Sequence, residues 1–278
     1  MQNGKETPKF IEPEEARIRW LKSFDSKAGR YFPSGFKAQD QTVGALLRGT
    51  LTVICARPGI GKTAFLFALA YRQARAGVQT YFYNLEMSVE GMWNRLACLQ
   101  DESLRLKELN EEEISDEKKA RLAELSAELV TFSPRFFEST EAREIFAAAQ
   151  AAIEPSSQSV LFLDYIGLMT DRTIGPDRYK VVTEAARCLS ELARRLNIPV
   201  VAAQQFNQAI EGRSDKIPNL SDLADSAEIS KTASMVLALT REEDDILNVF
   251  CMKNRNGPMR VSYGLRFDGP RVAVEDWK

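Results

Sequence analysis

Apolar residues in this chain gather into short, partly β-branched runs, separated by stretches with helical spacing. The runs Leu51–Cys55, Thr80–Leu85, Val160–Tyr165, Ile198–Ala203, Met235–Thr240 and Leu247–Met252 read as strands. Between the third run and the fourth, Val182, Ala185, Leu189, Leu192 and Leu196 recur at intervals of three and four and predict a core-facing helix. Glu108–Leu129, between the second and third runs, is a charged, Leu/Ala-rich helical stretch, with Ser115 a candidate cap before Asp116 and Glu117. Residues 1–10 are polar, and Pro13-Glu14-Glu15 then has the form of a helix start, with proline in the first turn and acids where the helix dipole favours them. Ala16, Trp20 and Phe24, with Ile18 and Leu21 beside them, give that helix a broad apolar face ending near Ala28-Gly29. At the other end the period changes. Val261–Phe267, the turn Asp268-Gly269-Pro270 and Val272–Val274 predict a closing β-hairpin. Strands alternating with helices imply an α/β fold: a mainly parallel sheet flanked by helices on both faces, extended at one edge by C-terminal antiparallel strands.

Composition narrows the chemistry. With 278 residues, the chain has room for one large domain and a small appendage. No apolar run approaches a membrane span and the N-terminus has no signal-peptide core, so no membrane partner is expected. Cys55, Cys98, Cys188 and Cys251 are scattered without a Cys-x-x-Cys pair, which predicts reduced thiols and a cytoplasmic setting. Histidine is absent, which removes His-based acid/base catalysis, Ser-His triads and His-ligated zinc together. The formal net charge of -2 argues against coating duplex DNA through bulk charge. It leaves room for a few basic residues focused on a channel or loop.

The most specific local signal is Ala56-Arg57-Pro58-Gly59-Ile60-Gly61-Lys62-Thr63, between a strand run and the helix former Ala64–Ala70. A strand, a glycine-bearing turn and a helix N-terminus direct backbone N–H groups at one anion. Arg57, Pro58, Gly59, Ile60, Gly61, Lys62, Thr63 and Ala64 are therefore the expected phosphate-binding residues of an ATP site. Lys62 would reach the β- and γ-phosphates and the Thr63 hydroxyl would ligate Mg²⁺. Ala56 stands where the strict pattern has its first glycine, and the alternative is an ordinary glycine turn.

Other runs end in polar residues. Ser159–Leu163 is followed by Asp164, which fits the Mg²⁺-supporting aspartate of phosphate-loop enzymes; a surface aspartate closing a strand is the alternative. Thr80–Leu85 is followed by Glu86, placed to polarise an attacking water as general base, or else a helix N-terminal acid before Ser88. Ile198–Ala203 is followed by Gln204-Gln205, and an amide there can hydrogen-bond a γ-phosphate oxygen; spacing alone makes Gln205 only suggestive.

Taken in order, Ala56–Thr63, Asn84-Leu85-Glu86-Met87-Ser88, Leu163–Met169, Val200–Asn207, Leu220-Ser221-Asp222-Leu223 and Lys253–Pro258 resemble the motor domain of DnaB-type replicative helicases, from about Pro33 to the C-terminus. The resemblance implies a RecA-like domain over residues 33–278, preceded at 1–32 by a tail and a linker-type helix. It implies hexameric rings, ATP-driven 5′→3′ movement on single-stranded DNA, and a primase or helicase loader as further partner. It makes Glu86 the catalytic base, Asp164 the Mg²⁺-site acid and Gln205 the γ-phosphate sensor. Arg255 becomes an arginine finger and Lys253 its companion, both acting in a neighbouring subunit's site; without the family they would be alternate exposed charges on an edge strand. The Pro13–Ala28 helix would dock on the adjacent subunit, with packing on its own domain the alternative.

Two departures bear on function. The family's separate N-terminal collar domain has no counterpart in this sequence, so a motor-only ring is expected. In the DNA-contacting loop, Ala224-Asp225-Ser226-Ala227 replaces the usual Arg-Glu-Ser-Gly, and Gln208 stands where a basic residue is usual. Ser226 and Ala227 would still line that loop, and Arg172, Arg178, Arg213 and Lys216 could supply charge or be solvated loop residues. The leading expectation is a ring-forming ATP-dependent DNA helicase. The alternatives are a non-unwinding, ATP-switched replication or recombination accessory factor and, more weakly, a small-molecule kinase.

Overall fold

The computed structural model describes residues 12–25, 29–111, 114–137, 139–207, 218–223, 227–241, 243 and 245–277. In chain order the elements are α1 (Pro13–Asp25), β1 (Tyr31–Phe32), α2 (Lys37–Thr42), β2 (Leu46–Leu47), β3 (Leu51–Ala56), α3 (Lys62–Arg75), β4 (Gln79–Asn84), α4 (Val89–Gln100), α5 (Leu106–Leu109) and α6 (Asp116–Phe132). They continue with β5 (Arg135–Phe137), α7 (Ala142–Ala152), β6 (Ser159–Asp164), α8 (Arg178–Leu196), β7 (Val200–Gln205), α9 (Ala227–Thr232), β8 (Met235–Thr240), β9 (Ile246–Asn254), β10 (Ser262–Asp268) and β11 (Ala273–Glu275).

A nine-stranded sheet runs in the order β11-β10-β9-β8-β3-β7-β6-β4-β5. From β8 to β5 every pairing is parallel, while β9, β10 and β11 add on antiparallel at one edge. The pleat sends successive residues to opposite faces. Ile54, Phe82, Phe162, Val201 and Leu237 join the core under α3 and α4, and their neighbours Val53, Tyr81, Leu161, Val200 and Val236 join the core under α7 and α8. This two-sided burial is why β3 and β6 are buried along their whole length.

The predicted runs hold to within a few residues, and the differences have local causes. The fourth run begins at Val200 rather than Ile198. Asn197 takes a left-handed conformation (φ 49°) to close α8, and Pro199 has no N–H to give a ladder. The helical stretch Glu108–Leu129 is divided, and its main helix starts at the expected Ser115 cap. Asn110 closes α5, and Ser115 takes an extended conformation so that its hydroxyl accepts the Lys118 N–H at 3.3 Å and starts α6. The closing hairpin forms with β10 and β11 in register Phe267↔Val274. Its turn carries a buried Arg271, which donates to Glu275 Oε1 at 2.7 Å and to the Cys98 carbonyl at 2.9 Å.

Helix α1 faces solvent over its described side chains, with Ile18 41%, Trp20 60% and Leu21 44% exposed; the Phe24 side chain and Ala28 lie outside the described residues. Phe32 and Phe36, by contrast, are buried. All four cysteines are free, and Cys188 alone among them is only half-buried. No helix among the described residues is long and apolar enough to cross a membrane.

Phe82 is fully buried, with ring centroids 4.6 Å from Phe67 and 6.0 Å from Phe162. Phe82→Ala is expected to destabilise the domain by about 3–5 kcal/mol, read from urea unfolding midpoints at unchanged m-value.

Candidate nucleotide site

Four neighbouring parallel strands, β3, β7, β6 and β4, end on the same rim of the sheet. Each delivers one predicted element there: the phosphate loop after β3, Gln205 at the end of β7, Asp164 at the end of β6 and Glu86 just past β4. Such a rim is where open α/β sheets bind ligands.

The loop after β3 turns on Gly59 (φ 78°) and Gly61 (φ 113°), both in the left-handed region. Gly61 is also crowded, because a Cβ there would lie 2.8 Å from Phe267 Cε2. The loop thereby starts α3 directly at Lys62, and the first-turn N–H groups of α3 have no carbonyl within the helix to bond. That is a cradle for an anion.

Asp164 is fully buried beneath this cradle. Its Oδ2 accepts the Thr63 hydroxyl proton at 2.6 Å, and its Oδ1 lies 4.0 Å from Lys62 Nζ without a hydrogen-bond partner. Burial pushes the Asp164 carboxyl up and the Lys62 ammonium down, and each charge opposes the other's shift. An orphaned buried carboxylate oxygen beside a hydroxyl offers hard oxygen donors to a magnesium ion. No group of three or more His, Cys, Asp or Glu among the described residues could enclose a metal. Magnesium held by one or two protein oxygens together with substrate phosphates fits this set.

Glu86 is exposed, and its backbone N–H is tied to the Asn84 side chain at 3.3 Å. Ser88 caps α4 by accepting from the Gly91 N–H at 3.1 Å, so the acid in that helix's first turn is Glu90 rather than Glu86. Glu86 is near enough to raise the proton affinity of both Lys62 and Asp164. The two glutamines of β7 divide their tasks. Gln204 is buried and accepts the Gly167 N–H at 3.1 Å, whereas Gln205 is half-buried at the strand end.

Several groups at this rim carry no sequence signal. Tyr165 lies under the Lys62 ammonium, 4.1 Å from ring centroid to Nζ. Phe267, whose ring packs on Gly61, is itself covered by the Arg241 guanidinium at 4.5 Å. Arg95 of α4 has Nε and Nη1 buried without a hydrogen-bond partner, within electrostatic range of Asp164 and Glu86. Only the placement of these residues on strands and helices distant in sequence brings them together.

Lys253 and Arg255 lie elsewhere. Val236 pairs with Lys253 and Met235 with Asn254, while Met235 pairs with Thr52 at the start of β3. The phosphate loop follows Ala56, four residues further along β3, so the pair sits about 13 Å back along the strand, at the opposite rim. Lys253 Nζ donates to the Ser230 and Ala233 carbonyls, each at 2.6 Å, and Arg255 Nη2 donates to the Lys231 carbonyl. Both cations thus hold the C-terminal end of α9.

Of the candidate DNA residues, Arg172 is 83% exposed and lies 3.7 Å from Glu141, and Arg178 opens α8 and donates to the Met169 carbonyl at 3.3 Å. Ala227 is exposed at the start of α9. Arg213, Lys216, Ser226, Gln208, Ala224 and Asp225 lie outside the described residues.

Because Gly61 needs both a left-handed φ and the space beside Phe267, Gly61→Ala is expected to weaken MgATP binding by about tenfold or more, measured with a fluorescent ATP analogue. Gly59→Ala, where a Cβ would meet nothing within 4 Å, is expected to lose less.

Comparison with known proteins agrees with this geometry. The family model described as DnaB-like helicase C terminal domain matches residues 32–274. A probable plasmid replicative DNA helicase of Chlamydia trachomatis is 32% identical over 255 residues, which cover 87% of this chain and 54% of that protein. The replicative DNA helicase DnaC of Bacillus subtilis is 28% identical over 240 residues, 82% of this chain and 52% of its own length. The chain therefore spans about half the length of the curated relatives it matches. Among solved structures, an isolated ATPase domain superposes with a TM-score of 0.86 at 23% identity, covering 97% of this chain and 100% of that one. A DnaB-like replicative helicase, in a structure describing its interactions with primase, gives 0.83 at 23% identity over 99% of this chain and 69% of its own. With the family model matching nearly the whole described sheet and the phosphate loop at its rim, the chain belongs to the DnaB-like helicase C-terminal domain family, with that family's RecA-like ATPase fold.

Proposed function

We propose that this chain is the ATP-hydrolysing motor of a ring-shaped, hexameric replicative DNA helicase that moves 5′→3′ on single-stranded DNA. The observation that carries the reading is the separation of the catalytic parts between two rims. Lys62, Thr63, Glu86, Asp164 and Gln205 share one rim, while Lys253 and Arg255 sit at the other, beyond reach of their own phosphate loop. A guanidinium that serves phosphoryl transfer from that position must act in a second copy of the chain.

Within one site, the backbone of Arg57–Ala64 and the Lys62 ammonium would bind the triphosphate. Thr63 and Asp164 would hold Mg²⁺, which when bound neutralises charge on the phosphates. Glu86, exposed at the rim, orients and deprotonates the attacking water. Gln205 hydrogen-bonds the γ-phosphate and reports its loss. The flat surface made by Arg241 on Phe267, next to Gly61, suits a stacked nucleobase. Arg255 and Lys253 of the adjacent subunit stabilise the charge of the transition state.

Residues 33–278 form the motor and 1–32 a tail and linker helix. The exposed apolar face of α1 docks on the neighbouring subunit and helps close the ring. Single-stranded DNA passes the loops after β6 and β7, with Arg172, Arg178, Arg213, Lys216, Ser226 and Ala227 as contacts. The relatives are named replicative helicases and one structural neighbour is described with primase; a primase or a helicase loader is the corresponding partner here, in the cytoplasm. A non-unwinding, ATP-switched accessory factor is the second reading, favoured by the acidic, arginine-poor sequence Ala224–Ala227.

ATPase rate measured against protein concentration, with and without single-stranded DNA, separates the two. The motor gives a steep rise with concentration and a further rise with DNA, both lost in Glu86→Gln; a DNA-indifferent rate selects the accessory factor. Arg255→Ala is expected to bind nucleotide normally and to lose turnover by about 10³-fold or more. Wild-type turnover in Arg255→Ala subunits would rule out the trans role.

A further inference from the structure

Residues 85–88 connect the end of β4 to the start of α4 and carry Glu86 to the rim. A short link of this kind ordinarily turns some of its backbone N–H groups to water. Here they are taken inside the chain. The Leu85 N–H donates to the Asp164 carbonyl at 2.9 Å. The Glu86 and Met87 N–H groups both donate to Asn84 Oδ1, at 3.3 and 3.0 Å, and Asn84 Nδ2 donates in return to the Met87 carbonyl. A single side chain, only 5% exposed, thus holds three backbone groups of the turn.

Packing completes the hold. Leu85 rests on the core under α7 and α8, Met87 rests on the core under α3 and α4, and Glu86 is left exposed between them. Asn84 also stands opposite Asp164 in the β4–β6 ladder, so the turn is registered against the strand that carries the buried acid. Alanine at this place would release all three backbone groups. Aspartate would keep the acceptor, lose the donor to Met87 and bring a second carboxylate next to Asp164; asparagine supplies donor and acceptor without charge. We infer that Asn84 is a positioning residue of the ATP site, clamping the turn that carries Glu86 so that the base meets the attacking water at a fixed place relative to Asp164. The inference rests on the reading that this rim binds MgATP with Glu86 as its general base.

Binding and hydrolysis separate the clamp from a general support. The whole chain is assayed for affinity towards a fluorescent ATP analogue with Mg²⁺, and for single-turnover ATP hydrolysis with single-stranded DNA present. The three hydrogen bonds of the Asn84 side chain go to the Glu86 turn and not to the phosphate loop. Asn84→Ala is therefore expected to keep affinity within about twofold while hydrolysis slows about ten- to a hundredfold, the cost of misplacing a catalytic group by about 1 Å. Asn84→Ser, whose hydroxyl can still accept one of the two N–H groups, should fall between the two. Asn84→Ala combined with Glu86→Gln is expected to be no slower than Glu86→Gln alone, because the clamp serves that carboxylate.

An Asn84→Ala protein that hydrolyses at the wild-type rate overturns the inference. So does a fall in affinity as large as the fall in hydrolysis, or a double variant in which the two losses multiply in full. If Asn84→Ala does not fold, Asn84→Ser, alone and with Glu86→Gln, decides by the same comparisons. Wild-type protein that fails to bind the analogue sinks the ATP reading and this inference with it, and turnover that Glu86→Gln leaves untouched sinks the general-base reading and this inference. Wild-type binding and Glu86-dependent turnover without the expected split sinks this inference alone.

Discussion

A parallel strand buried on both faces can carry polar side chains only at its ends, and that constraint organises this molecule. β3, β6, β7 and β4 are apolar through the core, so Asp164, Gln205, Asn84 and the phosphate loop have nowhere to go but the edge. Parallel pairing then brings all of those ends to one rim. The site is thus a by-product of the same burial that stabilises the sheet, and the helices α3 and α8 that cover the sheet are what keep its centre dry.

Electrostatics at the rim are built around charges that the isolated chain only partly satisfies. Asp164 is buried with an orphaned oxygen, Lys62 is buried beside it, and Arg95 carries two unpartnered nitrogens nearby. Burying groups of this kind costs stability. A bound anion with its divalent cation would answer all of them together, which makes the geometry a pre-arranged one.

Much of this is legible in the sequence, for a physical reason. Asp164 and Glu86 announce themselves because an apolar run that ends abruptly in a carboxylate is improbable inside a core and sensible at a rim. The Gly-Lys-Thr at the start of α3 is legible because glycine takes the left-handed turn it needs without strain. What stays hidden depends on contacts distant in sequence. The place of Lys253 and Arg255 follows from the register of β9 on β8, which periodicity does not encode. The ring of Tyr165 and the stack of Arg241 on Phe267 likewise come from meetings between strands. Short elements such as β1, β2 and β5 have too few residues to show a period, whereas the Ser115 cap that starts α6 is legible from its residue type ahead of two acids.

The grip of Lys253 and Arg255 on α9 has a mechanical corollary. Their donors occupy the carbonyls of Ser230, Lys231 and Ala233, the end of a helix only six residues long whose other end begins at Ala227, a few residues beyond the bridge that ties Leu223 to Phe206 after β7. Anything that draws either cation away strips donors from that short rod and leaves its last turn to fray. In the proposed ring, a neighbouring subunit's phosphates that drew on Lys253 or Arg255 would loosen this rod of about a turn and a half, with no rearrangement of the sheet required.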